Sequence, residues 1–232
     1  GRSLGATPSQ IVVAELEDKG LLTNSPVGHV VEILGTIDEP GMETEIAVRK
    51  FDLPYKFSEE TKKEIKRFSD SVTKSDLRDR VDLRDIPFVT IDGADAKDFD
   101  DAVYCLPVEE GKFRLLVAIA DVSHYVKPGC AIDKDAQLRT TSVYFPRRVI
   151  PMLPEELSNG LCSLNPQVDR CTMVCDAIIG ANGLVKAYQF YPAVIRSAAR
   201  LIYDNVWAAL CNPNGPEAKV MEHVLGNVQD LY

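Results

Sequence analysis

The chain has 232 residues, 45% of them hydrophobic and 26% charged, with a formal net charge of −9. That length suits one large domain, or a domain with a smaller module, and buries enough surface to need no staple. No apolar stretch approaches the roughly 20 residues that cross a bilayer, and the acidic balance argues against a protein that coats nucleic acid through clustered Lys and Arg.

An acidic average does not argue against an enzyme that holds cations on a phosphate. The opening Gly1-Arg-Ser-Leu-Gly-Ala6 lacks the apolar run of a secretory signal and reads as the edge of a longer chain. The six cysteines form no CxxC pair and the three histidines have no ligand spacing. Reduced thiols in a cytoplasmic protein are therefore expected, rather than disulfides or zinc.

Residues 1–55 read as short strands: Gln10–Leu16, Gly28–Leu34 and Glu45–Phe51, separated by turn signals at Asn24-Ser-Pro26 and Glu39-Pro-Gly41. Residues 58–73 predict a helix capped by Ser58, with Ile65, Phe68 and Val72 on one stripe. Residues 74–86 mix dense charges of both signs and read as a solvated connector, so 56–85 is taken as helix and linker. From 86 to 232 the pattern becomes α/β with a mixed sheet. Strands are expected at Phe88–Ile91, Ala102–Leu106 and Phe113–Ala120, the last buried on both faces. A short helix is expected at Ile132–Arg139, capped by Asp133, and a hairpin joins Thr172–Ile179 to Leu184–Tyr191 through an Asn-Gly turn. Tyr203–Leu210 and Ala218–Tyr232 read as helices.

Five of the ten residues from Asp92 to Asp101 are aspartates. Crowded carboxylates raise one another's pKa, and a solvated loop is one way to tolerate them. The other is a cation site. The run follows a buried strand, where α/β folds place ligands. Phe99 sits among the acids, and short Asp side chains suit rigid placement of hard cations. An EF-hand is excluded, because its sixth and twelfth positions would be Lys97 and Val103. A phosphoryl-transfer or phosphodiester-hydrolysis site remains.

The run Val89-Thr-Ile-Asp-Gly-Ala-Asp-Ala-Lys-Asp-Phe-Asp-Asp-Ala102 resembles the signature of the RNase II/RNase R (RNB) family of exoribonucleases, with wording closer to its ribonuclease R branch. The likeness continues through Val117–Val126, Thr141–Pro146 and Ile150–Asp169. It implies an RNB-type catalytic domain over 86–232, preceded over 1–55 by the closing part of an OB-type cold-shock barrel. It also implies Mg²⁺-dependent hydrolysis of single-stranded RNA from its 3′ end, releasing nucleoside 5′-monophosphates. The family's catalytic, metal-holding aspartates fall on Asp92, Asp98, Asp100 and Asp101, with Asp95 outside the set. Tyr144 matches a base-stacking tyrosine, against the plain reading of a core residue in a Val-Tyr-Phe run.

Arg147 and Arg148 are candidate phosphate contacts or ordinary surface arginines. Asp121 is either an acid near the site or a hydrogen-bonded turn residue. Met152, Leu153 and Leu157 read as packing. No membrane or small-molecule cofactor is expected. By the resemblance, the catalytic domain continues beyond Tyr232 to a phosphate-clamping Arg, a Glu, a second aromatic and an S1 barrel, so the chain is expected to be a fragment with low activity. Two rivals stand beside this reading. One is a catalytically inactive RNA-binding fragment. The other is a Mg²⁺-dependent phosphatase using Asp98-Phe-Asp100, although that pair lies late after its strand.

Overall fold

The computed structural model describes residues 3–16, 27–109 and 111–232; the turn expected at Asn24–Pro26 lies outside them. The chain divides into two compact units, Gly1–Phe57 with Ala136–Met152, and Ser58–Asp135 with Leu153–Tyr232.

In the first unit, β1 (Gln10–Leu16) and β2 (Gly28–Thr36) pair antiparallel where β-branched residues predicted them. The third expected strand is instead helix α1 (Met42–Lys50). Gly41 enters it at φ 89°, a left-handed conformation that only glycine adopts freely, and Glu43, Glu45, Arg49 and Lys50 complement the helix dipole at its two ends. Arg49 then ties the helix to the hairpin. It donates to Glu32 through Nε at 3.1 Å and Nη2 at 2.7 Å, to Tyr55 Oη at 3.1 Å, and it pairs with Glu45. This ion pairing raises the Arg49 pKa and holds Glu32 below the usual carboxylate range. The hairpin β7 (Val143–Phe145) and β8 (Arg148–Ile150) completes the unit.

The second unit is built on a seven-stranded mixed sheet in the order β11-β4-β5-β6-β9-β10-β3. Its strands are β3 (Val81–Asp82), β4 (Val89–Asp92), β5 (Asp101–Glu109), β6 (Lys112–Ala120), β9 (Asp169–Ile179), β10 (Val185–Arg196) and β11 (Ala199–Ile202). The pairs β4–β11 and β3–β10 are parallel and the others antiparallel. Ala102, Ala118 and Val174 stand opposite one another in register and are fully buried. Ile119 and Met173 point the other way and are exposed, so the expectation that β6 is buried on both faces is corrected. The β9–β10 turn closes with Gly183 N–H donating to Gly180 O at 2.8 Å, and Gly183 takes φ 74°, so it is the left-handed residue after a type I turn.

Helices α5 (Tyr203–Cys211), α6 (Pro216–Val220) and α7 (Glu222–Leu231) pack Val206, Ala209, Ala218, Met221, Val224 and Val228 against Val89 and Leu201. The single helix expected over 218–232 breaks at Met221. β4 pairs with β5 only at Val89–Val103, which leaves the Cys105 amide to be met by Asn227 Oδ1 at 2.7 Å. A buried donor of this kind is rarely left unpaired.

Three further expectations are corrected in this unit. Helix α2 spans only Glu59–Ile65: Ser58 caps it, but Phe68 and Val72 lie beyond its end, where Phe68 N–H turns back to Ile65 O at 3.1 Å. Helix α4 (Ala131–Arg139) is not capped by Asp133, whose carboxylate accepts instead from Gly129 N at 2.7 Å. Its first amides belong to Glu64 Oε2, at 2.8 Å from Ala131 N and 3.2 Å from Ile132 N. Glu64→Ala should therefore cost about 0.5–2 kcal/mol, as loss of a cap does; an unchanged denaturant midpoint would count against that role.

The third correction concerns residues 74–86, which are not a solvated connector. Arg80 is only 6% exposed and pairs with Asp121, 8% exposed, while donating to Thr172 O at 3.1 Å and Ala193 O at 3.3 Å. Asp76 accepts from Thr73 and faces His124 at 3.0 Å, and Val81–Asp82 form the edge strand β3. Arg80, Asp76 and Arg84 are met by Asp121, His124 and Asp169 from distant parts of the chain, while Lys74, Arg78, Asp79 and Asp85 stay exposed.

Candidate active site

The acidic run joins the end of β4 to the start of β5. β4 and β11 run parallel and finish together, with Asp92 opposite Ile202, so Asp92 stands at the carboxyl ends of two parallel strands. Its Oδ1 accepts from the adjacent Gly93 N at 2.7 Å. Asp101 begins β5 opposite Ile119, and Asp100 O accepts from Ala120 N at 2.9 Å. Phe99 is buried at 4% exposure, as its place among the acids suggested, while Asp95 is exposed.

Asp98, Asp101 and Asp92 each act electrostatically on Asp100. Asp100 is pushed above the usual carboxylate range by partial withdrawal from bulk water, then by Asp98, Asp101 and Asp92. Asp101 is pushed up by the same withdrawal and by Asp92. Both remain accessible to solvent and to a ligand. Among the described residues, no group of three or more His, Cys, Asp or Glu side chains is arranged so that it could hold a metal ion.

Two neighbours of the loop gave no signal in sequence. Arg200, on β11, donates through Nη2 to Ala94 O at 2.6 Å and lies 4.9 Å from the centre of the Phe99 ring. Tyr203 follows Ile202 directly and is 60% exposed. Their nearness to Asp92 depends on β11 pairing with β4, across more than a hundred residues of chain. Asp121 resolves as a structural acid: it caps α3 (Val122–Tyr125), accepts from Ser123 Oγ at 2.7 Å and pairs with Arg80.

Tyr144, Arg147 and Arg148 belong to the β7–β8 hairpin of the first unit. Tyr144 is 67% exposed, which removes the core-tyrosine reading. Arg147 is exposed at the turn, whereas Arg148 pairs with Glu45. Leu153 and Leu157 are buried, as packing residues should be. The cysteines are free, with Cys105, Cys162 and Cys171 buried and Cys211 exposed. Among the described residues no helix is long and apolar enough to cross a membrane.

The RNB domain model matches residues 80–232, and a cold shock domain model matches residues 1–58. The chain belongs to the RNB-domain family. This RNB chain is 55% identical over 212 residues to a ribonuclease R of Acidithiobacillus ferrooxidans, covering 90% of the chain and 48% of that protein. It is 49% identical over 207 residues to ribonuclease R of Escherichia coli K12, covering 89% of the chain and 26% of that protein. The structure of Mycoplasma genitalium RNase R in complex with double-stranded RNA matches with TM-score 0.84 and 32% identity, over 91% of the chain and 38% of that one. The chain thus spans about a quarter to a half of the length of the curated relatives it matches. An RNB domain with a mixed sheet, preceded by a cold-shock module, is the fold that the sequence blocks implied.

Proposed function

We propose that this chain carries the metal-binding carboxylates of a Mg²⁺-dependent exoribonuclease that hydrolyses RNA from the 3′ end and releases nucleoside 5′-monophosphates. The observation that carries this reading is the placement of Asp92, Asp98, Asp100 and Asp101 on one segment that starts at the carboxyl ends of two parallel strands, with Asp92, Asp98 and Asp101 all acting on the charge of Asp100. The named ribonuclease R relatives support it, as does the RNA bound in the Mycoplasma genitalium protein.

The donor set fits a hard cation. All four candidate ligands are carboxylates, and partial withdrawal from water, then repulsion from neighbouring acids, raises the pKa of Asp100 and Asp101. An open cluster suits Mg²⁺, which is held by one or two carboxylates with water and substrate phosphate oxygens completing its shell. When bound, Mg²⁺ lowers the pKa of an attacking water and offsets charge on the phosphate. The protein's own part is to hold ionised Asp100 and Asp101 at the start of a rigid strand and Asp92 at the end of another. Tyr144 offers an exposed aromatic face to a base and Arg147 offers charge to a phosphate, whereas Arg148 is already paired with Glu45.

Homopolymer RNA incubated with the whole protein to which this chain belongs, with and without Mg²⁺, tests the reading. Mononucleotides formed only with Mg²⁺ support it. Inorganic phosphate alone would indicate a phosphatase, and retained RNA without products a binding protein; either overturns it. Stacking on Tyr144 is tested by Tyr144→Ala, which should forfeit about 1–3 kcal/mol of base stacking and change the shortest oligonucleotide left undigested. An unchanged product pattern would overturn base stacking by Tyr144.

A further inference from the structure

Between Asp98 and Asp100 the backbone is gripped by a segment 60 and more residues away. Ser163 Oγ accepts from Phe99 N at 3.0 Å and donates to Lys97 O at 2.9 Å, while Leu164 N donates to Phe99 O at 2.8 Å. Ser163 has no solvent exposure. A hydroxyl offers one donor and two acceptor sites, so one small side chain closes both backbone groups. Ser163 is itself anchored: its N–H donates to Gly160 O at 3.1 Å, and its carbonyl accepts from the buried Arg170 Nε at 2.8 Å. It follows the π-helical turn Glu156–Leu161, whose Leu157 is fully buried. From the other side Arg200 covers the Phe99 ring and holds Ala94 O.

We infer that Ser163 is a positioning residue, fixing the separation and aim of Asp98 and Asp100 by pinning the backbone on both sides of Asp98. This rests on the exoribonuclease reading of the loop. Like-charged carboxylates two residues apart would relax away from each other on a free loop. A tie to Lys97 O and Phe99 N denies the backbone that freedom, so the pair is held ready for a cation and a phosphate. Misplacement by about 1 Å in such a group can lower a rate about a hundredfold.

Three variants and one measurement on the unaltered chain test this. Ser163→Ala removes the hydroxyl, whereas Ser163→Thr and Ser163→Val add similar bulk and differ in whether the hydroxyl is kept. Amide hydrogen exchange on the 232-residue chain should show Phe99 protected like the centre of β6. In the Ala and Val variants that protection should fall about tenfold or more, with β6 and β9 amides unchanged. In the whole protein, kcat should fall about ten- to a hundredfold with KM for RNA within about twofold, and Thr should recover much of the loss relative to Val.

A wild-type Phe99 amide that exchanges as fast as exposed Asp95 overturns the inference without any variant. So does normal kcat in Ser163→Ala, or Thr performing no better than Val. Asp100→Asn run in parallel separates the two readings: normal turnover in that variant defeats the exoribonuclease assignment, while hydrogen exchange still reports on the pin.

Discussion

Asp100→Asn in the whole protein is expected to lower RNA turnover by at least about 10²–10³-fold, the scale for losing one preorganised electrostatic group, and to leave RNA affinity within about twofold. Asn keeps the shape of the side chain and removes one negative charge where carboxylates are most crowded. Single-turnover cleavage beside equilibrium binding checks it, and near-normal turnover sinks the assignment. The same substitution has an opposite effect on the metal-free fold. Asp100 has a raised pKa in the folded state, so its ionised form is disfavoured there, and stability falls as pH rises from the ordinary carboxylate value through the raised one. At neutral pH the Asn variant without metal should therefore be the more stable. Solvent screening at this accessible site keeps the gain well under about 1 kcal/mol, or about 1–3 °C in Tm, and it should vanish below roughly pH 4. A metal-free Asn variant that melts below the wild type at pH 7 would contradict the electrostatic account of the cluster.

The largest effect on stability is expected at Arg80. Its guanidinium is buried, pairs with buried Asp121, and satisfies the carbonyls of Asp76, Thr172 and Ala193. Arg80→Ala strands an acid and several backbone acceptors in the interior. Breaking one side of such a pair costs about 3–5 kcal/mol, and Tm should drop by about 10 °C or more. The double variant Arg80→Met with Asp121→Leu should be less damaging than Arg80→Ala, because no charge is left unpaired. Burial alone would push Asp121 up, but Arg80 and Ser123 hold it below the usual carboxylate range. That depressed pKa contributes stability above the ordinary carboxylate value, which is lost as pH falls below roughly 4. Equal destabilisation by single and double variants would place the effect in packing and not in charge.

Elements whose signal is local were legible in the sequence. β1, β2, β4, β5 and the β9–β10 hairpin follow from β-branched runs and turn residues, because side chains that alternate across a strand write their burial into the order of residues. The structure departs from the local signals where two of them compete or where a distant partner decides. In Glu45–Phe51 the β-branched Ile46 and Val48 argued for a strand, but Gly41 and the charges at both ends favoured a helix, which Arg49 then locked to Glu32. In 74–86 charge density argued for solvent, although Arg80 and Asp121 lie 41 residues apart in the chain and close in the fold. Asp133 had the chemistry of a cap, but Glu64 had the position.

The acidic run was the clearest feature of the sequence, and its residue types are what suggest the proposed hard-cation, phosphate-directed chemistry. Carboxylates are chosen for their charge and reach, and both are written in the residue code. What only the tertiary structure decided is how that chemistry is held in place. Asp92 meets the end of β11 because two distant strands pair in parallel, Arg200 covers Phe99 for the same reason, and Ser163 reaches Phe99 from beyond a π-helical turn. Contacts between residues far apart in the chain leave no periodic trace in sequence, since the free energy that forms them comes from closing the whole fold.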